Sequence, residues 1–265
     1  MRLGVLQGRL SPPVRDHYQE FPDEWEREFE LLNDLGLHGV EWLITPDYDS
    51  SCWGPKNPIF YNFDEISKLP IMSVCVDTLV DERIINKAFV LSNLVPICER
   101  IKDSNICTLV IPILDASDLN EDSKRSSFCE IIKLIGDSYP SLKFAFEAEM
   151  PPSKLSEIVG LCDNFGVTYD TGNITSCGVD HEEFIDSFGK KIINVHIKDR
   201  TYDRQTVEPM QGDTDFELIF KKLASIDYSG NFILQTARST EGDEFNTISR
   251  HKQIFEDLYE KYFQS

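Results

Sequence analysis

Four apolar runs in the second half of the sequence are each broken by one polar residue: Glu147 in FAFEAEM, Asp170 in VTYDTGN, His196 in INVHIKD and Gln235 in FILQTAR. Two carboxylates, an imidazole and an amide oxygen form a donor set suited to one divalent cation, Mn²⁺, Mg²⁺, Co²⁺ or Zn²⁺. Each also has a plainer role open to it. His196 could be a core histidine bonded to a carbonyl, Asp170 could cap the turn that follows it, and Gln235 could be a polar filler. Glu147 is harder to explain that way, because a carboxylate inside an apolar strand carries a desolvation cost that a partner must offset. The same VTYDTGN stretch contains Asp170-Thr171-Gly172, the tripeptide of a pepsin-like protease half.

The elements that would position these residues follow from the pattern of apolar runs. Eight recur: RLGVLQ, GVEWLI, IMSVCV, CTLVIPI, KFAFEA, VTYD, IINVHI and NFILQT. Helical periodicity lies between them, as at Trp25, Phe29, Leu32 and Leu35, where Asp23 is the expected N-cap and Gly36 the stop. Near-continuous apolar strands alternating with amphipathic helices imply a parallel sheet covered by helices. Eight such units in 265 residues match a (β/α)8 TIM barrel, an α/β fold, spanning residues 1–265 as a single domain. A doubly wound open sheet fits less well, since the first strand leads into Gly8-Arg9-Leu10-Ser11-Pro12-Pro13 in place of a glycine-rich phosphate turn. Neighbouring barrel strands lie about 4.8 Å apart, so Glu147, Asp170, His196 and Gln235, at four consecutive strand ends, can converge on one ion. A protease of the pepsin type needs two Asp-Thr/Ser-Gly loops in an all-β fold, and an alternating chain with one such loop does not supply them.

Composition narrows the partners. With 46 acidic and 26 basic residues the formal charge is −20, which repels polyanions and argues against nucleic acid. The seven cysteines (Cys52, Cys75, Cys98, Cys107, Cys129, Cys162, Cys177) are scattered without a Cys-x-x-Cys pair, and read as small buried apolar residues in a reducing compartment. The opening MRLGVLQGRL is too short and polar for a signal peptide, and the longest apolar run is far below a membrane span. The expectation is a cytoplasmic protein with no membrane partner, acting on a small molecule, with homo-oligomerisation left open.

FAFEA, YDTGN, NVHIKDR and GDTDFELIFKKLASIDYSGNFILQ, in this order, resemble the xylose-isomerase-like TIM-barrel superfamily of sugar and sugar-phosphate isomerases and epimerases. That superfamily also includes endonuclease IV. Within it the sequence is most similar to the L-xylulose-5-phosphate 3-epimerase (hexulose-6-phosphate isomerase) branch, and the first half agrees mainly through GVLQGRLSP and GVEW. The resemblance implies that Glu147, Asp170, His196 and the strand-eight residue hold one divalent metal, and that a small carbohydrate is isomerised or epimerised through a metal-stabilised enediolate with Glu147 as base. Endonuclease IV chemistry needs about three zinc ions and many histidines; five histidines and a charge of −20 do not support it.

Two departures bear on mechanism. Gln235 stands where the epimerases carry glutamate, and an amide cannot accept and return a proton at neutral pH. The reaction is then either a one-base aldose–ketose isomerisation, or a second base has moved to Glu149, Asp77 or Asp199. A glycine expected near Met210 is also missing. Arg9, Lys198, Arg200 and Arg238 are candidate contacts for a substrate phosphate or carboxylate, though each could pair with neighbouring carboxylates instead. Glu41 is expected inside the barrel mouth, behind the ligands or on a substrate hydroxyl. A sugar-acid or inosose-type dehydratase, and a catalytically silent sugar-binding barrel, remain as alternatives.

Overall fold

The computed structural model describes residues 1–13, 19–46 and 56–264. Eight parallel strands close into a barrel: β1 (Arg2–Leu6), β2 (Val40–Leu43), β3 (Ile71–Cys75), β4 (Thr108–Ile113), β5 (Lys143–Ala148), β6 (Phe165–Asp170), β7 (Ile192–Ile197) and β8 (Asn231–Leu234). Each run expected from sequence forms a barrel strand. Closure is made by β8 lying beside β1, with Arg2 level with Asn231 and Val5 level with Leu234. The described helices are α1 (Trp25–Leu35), α2 (Phe63–Ile66), α3 (Lys87–Ile101), α4 (Asp122–Ser138), α5 (Pro152–Val159), α6 (Thr171–Ser176), α7 (His181–Phe188), α8 (Phe216–Ser225) and α9 (Glu244–Phe263). None is long and apolar enough to cross a membrane.

The strands are buried on both faces because helices cover the outside and side chains fill the inside. The buried apolar residues form one continuous cluster that joins barrel and helices. At the closing seam Phe232 stacks on Phe220 of α8 at 5.5 Å and meets Tyr259 of α9 edge-on at 6.1 Å, so the last strand is held by the last two helices.

Two local expectations are corrected. The N-cap of α1 is Glu24, not Asp23, and its side chain makes no capping bond; helix ends are set by local backbone geometry that composition does not resolve. Gly36 does close α1 in the left-handed region at φ 64°. The cysteines are not uniformly buried: Cys75 and Cys98 are, Cys129, Cys162 and Cys177 are half-buried, and Cys107 is exposed just before β4 enters the sheet. All six are free thiols, and Cys52 lies outside the described residues.

The loop after β1 is shaped by a buried carboxylate. Glu28 of α1 is fully buried and accepts from the amides of Gly8 (2.9 Å) and Leu10 (3.1 Å). Gly8 is needed there: its φ is 87°, and a Cβ would lie 2.4 Å from the Glu20 carbonyl oxygen. Burial raises the Glu28 pKa, and the two amides and Ser11 pull it partly back. Arg238, beyond β8, donates to the carbonyls of Gly8 (2.5 Å) and Ser11 (3.2 Å), tying the first loop to the last. Replacing Glu28 with alanine orphans two buried amides at about 1–3 kcal/mol each. Urea unfolding of Glu28→Ala is expected to show a loss of at least about 2 kcal/mol, and an unchanged midpoint would refute this role for the carboxylate.

Candidate metal centre at the barrel mouth

Three of the four proposed ligands sit at the carboxyl ends of β5, β6 and β7, and Gln235 is the first residue past β8, where its amide extends the ladder by donating to the Ile197 carbonyl at 3.0 Å. Exposures are 3% for Glu147, 2% for Asp170, 0% for His196 and 3% for Gln235. Asp170 and His196 are level on adjacent strands. One ligand atom each from Glu147, Asp170 and His196 lies within 4.8 Å of the others. Nδ1 of His196 is 3.3 Å from Glu147 Oε2 and 3.9 Å from Asp170 Oδ2. The Gln235 Oε1 atom is buried with no hydrogen-bond partner, a condition costly enough in a protein interior to require explanation. Glu147, Asp170 and His196 fit a divalent cation in both chemistry and spacing, and the Gln235 oxygen fits it in chemistry.

Local structure orients each group. Asp170 does cap its turn, accepting from the Asn173 amide with Oδ1 at 2.8 Å, which leaves Oδ2 facing the site. The turn cap and a ligand role, alternatives in the sequence, thus fall on different oxygens of the same carboxylate. Asn173 of α6 then donates from Nδ2 to Glu147 Oε1 at 2.8 Å. Lys198 Nζ, nearly fully buried, contacts Asp170 Oδ2 at 2.8 Å and Asn173 Oδ1 at 3.4 Å. Burial would raise the Asp170 pKa, but the charges of Lys198, His196 and Arg200 outweigh it and hold the carboxyl below its ordinary range. For His196, burial acts to lower the pKa, yet Glu41 and Glu147 carry it well above the ordinary value.

Above these residues lies a cavity of about 180 Å³ whose lining includes Asp77, Glu147, Asn173, Lys198, Arg200 and Gln235. Pockets for drug-sized ligands start at about 300 Å³, so this mouth suits a small molecule. Hollows of about 750 and 640 Å³ open at the other end of the barrel, where Lys143, Lys190 and Ile193 line both. They hold none of the candidate ligands, and the chemistry belongs at the carboxyl ends of the strands. Asp77 has its pKa raised to about 7, chiefly by burial, then by the charges of Glu147 and Asp115.

The remaining candidates are placed as follows. Glu149 does not open onto the cavity as a base would: Arg200 holds one oxygen at 2.9 Å and Arg204 holds the other. Asp199 is fully buried and accepts from the amides of Gln211, Gly212 and Thr214, so it shapes the loop after β7, and it is not among the residues lining the cavity. Arg9 donates to the Thr236 carbonyl at 3.3 Å and to Gln19 Oε1 at 3.1 Å. Glu41 lies in the barrel interior, with Oε1 2.8 Å from His196 Nε2. Met210, near which a glycine was expected, takes the left-handed region at φ 70°, which glycine adopts more readily.

Asn173, Ser73 and Asn194 are parts of this site that sequence reasoning passed over. Ser73 and Asn194 both donate to Glu41 Oε2, at 2.7 and 2.8 Å. The signal existed: Asn194 precedes His196 by two residues and so shares its face, and Asn173 stands three residues after Asp170, where a capped turn folds back.

The chain belongs to the xylose isomerase-like TIM barrel family, whose model matches residues 89–258. Among solved structures, it is similar to the zinc-bound IOLI protein, at 18% identity and a TM-score of 0.77 with 100% of each chain covered. A D-tagatose 3-epimerase-like protein matches at 20% identity and a TM-score of 0.70, covering 98% of this chain and 99% of that one. The D-allulose 3-epimerase of a Methylomonas species, in complex with D-allulose, matches at 12% identity and a TM-score of 0.73, covering 98% and 97%. No sequence of a curated protein matches this chain.

The raised pKa of Asp77 has a stability consequence. The folded protein holds this proton up to about pH 7, whereas the unfolded chain releases it near pH 4. Folding therefore loses stability as pH rises through that window. Asp77→Asn removes the loss, so its stability relative to wild type should increase from pH 4 to pH 8 in chemical denaturation of metal-free protein. A difference that stays flat with pH would show that Asp77 titrates normally.

Proposed function

We propose that this protein is a divalent-metal-dependent isomerase or epimerase of a small sugar or sugar phosphate, moving a proton on carbon next to a carbonyl with Glu147 as the base. The observation that carries this reading is the convergence of Glu147, Asp170 and His196 within 4.8 Å, with the partnerless Gln235 oxygen, next to a small cavity that Glu147 and Gln235 line. The bound zinc of IOLI and the D-allulose of the Methylomonas epimerase support it from two structures of the same fold.

Glu147, Asp170, His196 and Gln235 are the residues that would hold the ion, which supplies Lewis acidity toward a substrate carbonyl. Asn173 fixes one Glu147 oxygen by hydrogen bonding, so the carboxylate meets the substrate in one orientation. Glu147 takes the proton from the carbon beside the carbonyl. Gln235 cannot return it from another direction, because an amide does not titrate at neutral pH. Asp77 is the candidate for that step: it lines the same cavity from the end of β3, and a pKa raised to about 7 supports its giving and accepting a proton at neutral pH. Lys198 and Arg200, on the cavity wall, orient substrate oxygens.

The test is a screen of pentose and hexose ketoses, free and phosphorylated, with Mn²⁺-loaded enzyme in D₂O. Wild type is expected to place deuterium on a single carbon of one sugar, with the product an isomer of equal formula. Glu147→Gln should lower that rate by roughly 10²- to 10⁴-fold, the span of a general base. Persistent exchange in the variant would contradict the assignment, and release of water would favour the dehydratase.

A further inference from the structure

Glu41 does not line the cavity, yet its carboxylate is fully buried and lies against His196. It stands on β2, level with Ser73 of β3. Oε2 accepts from Ser73 Oγ at 2.7 Å and from Asn194 Nδ2 at 2.8 Å, while Oε1 lies 2.8 Å from His196 Nε2. A buried carboxylate is tolerated when donors satisfy it, and here β3 and β7 supply them. Nδ1, on the other edge of the ring, faces Glu147 and Asp170 at 3.3 and 3.9 Å.

We infer that Glu41 is a positioning residue that keeps the His196 proton on Nε2 and turns Nδ1, as the ligating atom, toward the cation. An ionised carboxylate only accepts hydrogen bonds, so the ring nitrogen facing Glu41 must carry the proton. Ligating a cation requires a neutral imidazole with one N–H, and with that proton on Nε2 the lone pair is on Nδ1, the nitrogen facing the two carboxylates. Ser73 and Asn194 clamp the second oxygen, so the carboxylate cannot turn away without leaving two donors unpaired. Outer carboxylate partners of this kind typically change metal affinity by roughly 10- to 100-fold. The inference rests on the reading of His196 as a metal ligand.

Glu41→Gln keeps the shape and removes the all-acceptor character. If its amide nitrogen faces His196, Nε2 must become the acceptor and Nδ1 takes the proton; if its oxygen does, the nitrogen is pressed against the Asn194 donor. Zinc binding is measured by competition with a chromogenic chelator on wild type and variant, each checked for folding by circular dichroism. In parallel, ¹⁵N-histidine NMR of zinc-loaded wild type reads which His196 nitrogen is metallated, a readout that needs no variant. The expected results are a roughly 10- to 100-fold weaker zinc Kd in Glu41→Gln, and a wild-type spectrum with zinc on Nδ1 and a slowly exchanging proton on Nε2. Zinc on Nε2, or a folded variant that binds as wild type does, overturns the inference while leaving the metal centre standing. Wild type that takes up no zinc overturns the metal reading, and this inference with it.

Discussion

An imidazole enclosed by carboxylates where water does not reach is the constraint around which this barrel mouth is organised. His196 is fully buried, with Glu41 against one nitrogen and Glu147 and Asp170 against the other. Three acidic groups at such depth would repel one another and the apolar interior unless each were bonded. They are. Ser73 and Asn194 satisfy Glu41, Asn173 satisfies Glu147, and the Asn173 amide with Lys198 satisfies Asp170. Within this set, the Gln235 oxygen is buried without a partner. A cation between these groups would complete the charge balance that Lys198 begins.

The closed barrel makes this arrangement rigid. Parallel strands all end on the same face, so side chains distant in sequence meet there without a loop having to bring them together. Closure depends on the first and last strands staying in register, and Arg238 reinforces it by bonding loop carbonyls 227 and 230 residues away in sequence. Glu28 fixes the same first loop from the helix side, and Asp199 does the equivalent for the loop after β7. Acidic residues thus act as loop organisers at two of the strand ends and as candidate chemistry at the others, which is why acidity alone could not identify the base.

What could be read from the sequence follows from this division. The strands were legible because parallel strands buried on both faces are aliphatic throughout, and the candidate ligands because a polar residue in such a run demands a reason. Glu41 was legible as an interior group for the same cause. The partners of the charged residues were not: Glu149 with Arg200 and Arg204, or Lys198 with Asp170, are set by loops crossing between strands, and no local pattern encodes them. The two-residue strands Asp199–Arg200 and Thr206–Val207, which pair antiparallel beyond β7, are too short to leave a periodic trace. Asn173 went unseen because its role depends on the turn that Asp170 itself caps.

Anomalous diffraction at the zinc edge, from crystals of this protein grown with Zn²⁺, addresses the central claim directly. The account predicts one strong peak at the barrel mouth, bonded to Glu147, Asp170, His196 Nδ1 and the Gln235 amide oxygen. A mouth without a peak, or zinc held only elsewhere on the molecule, would contradict it.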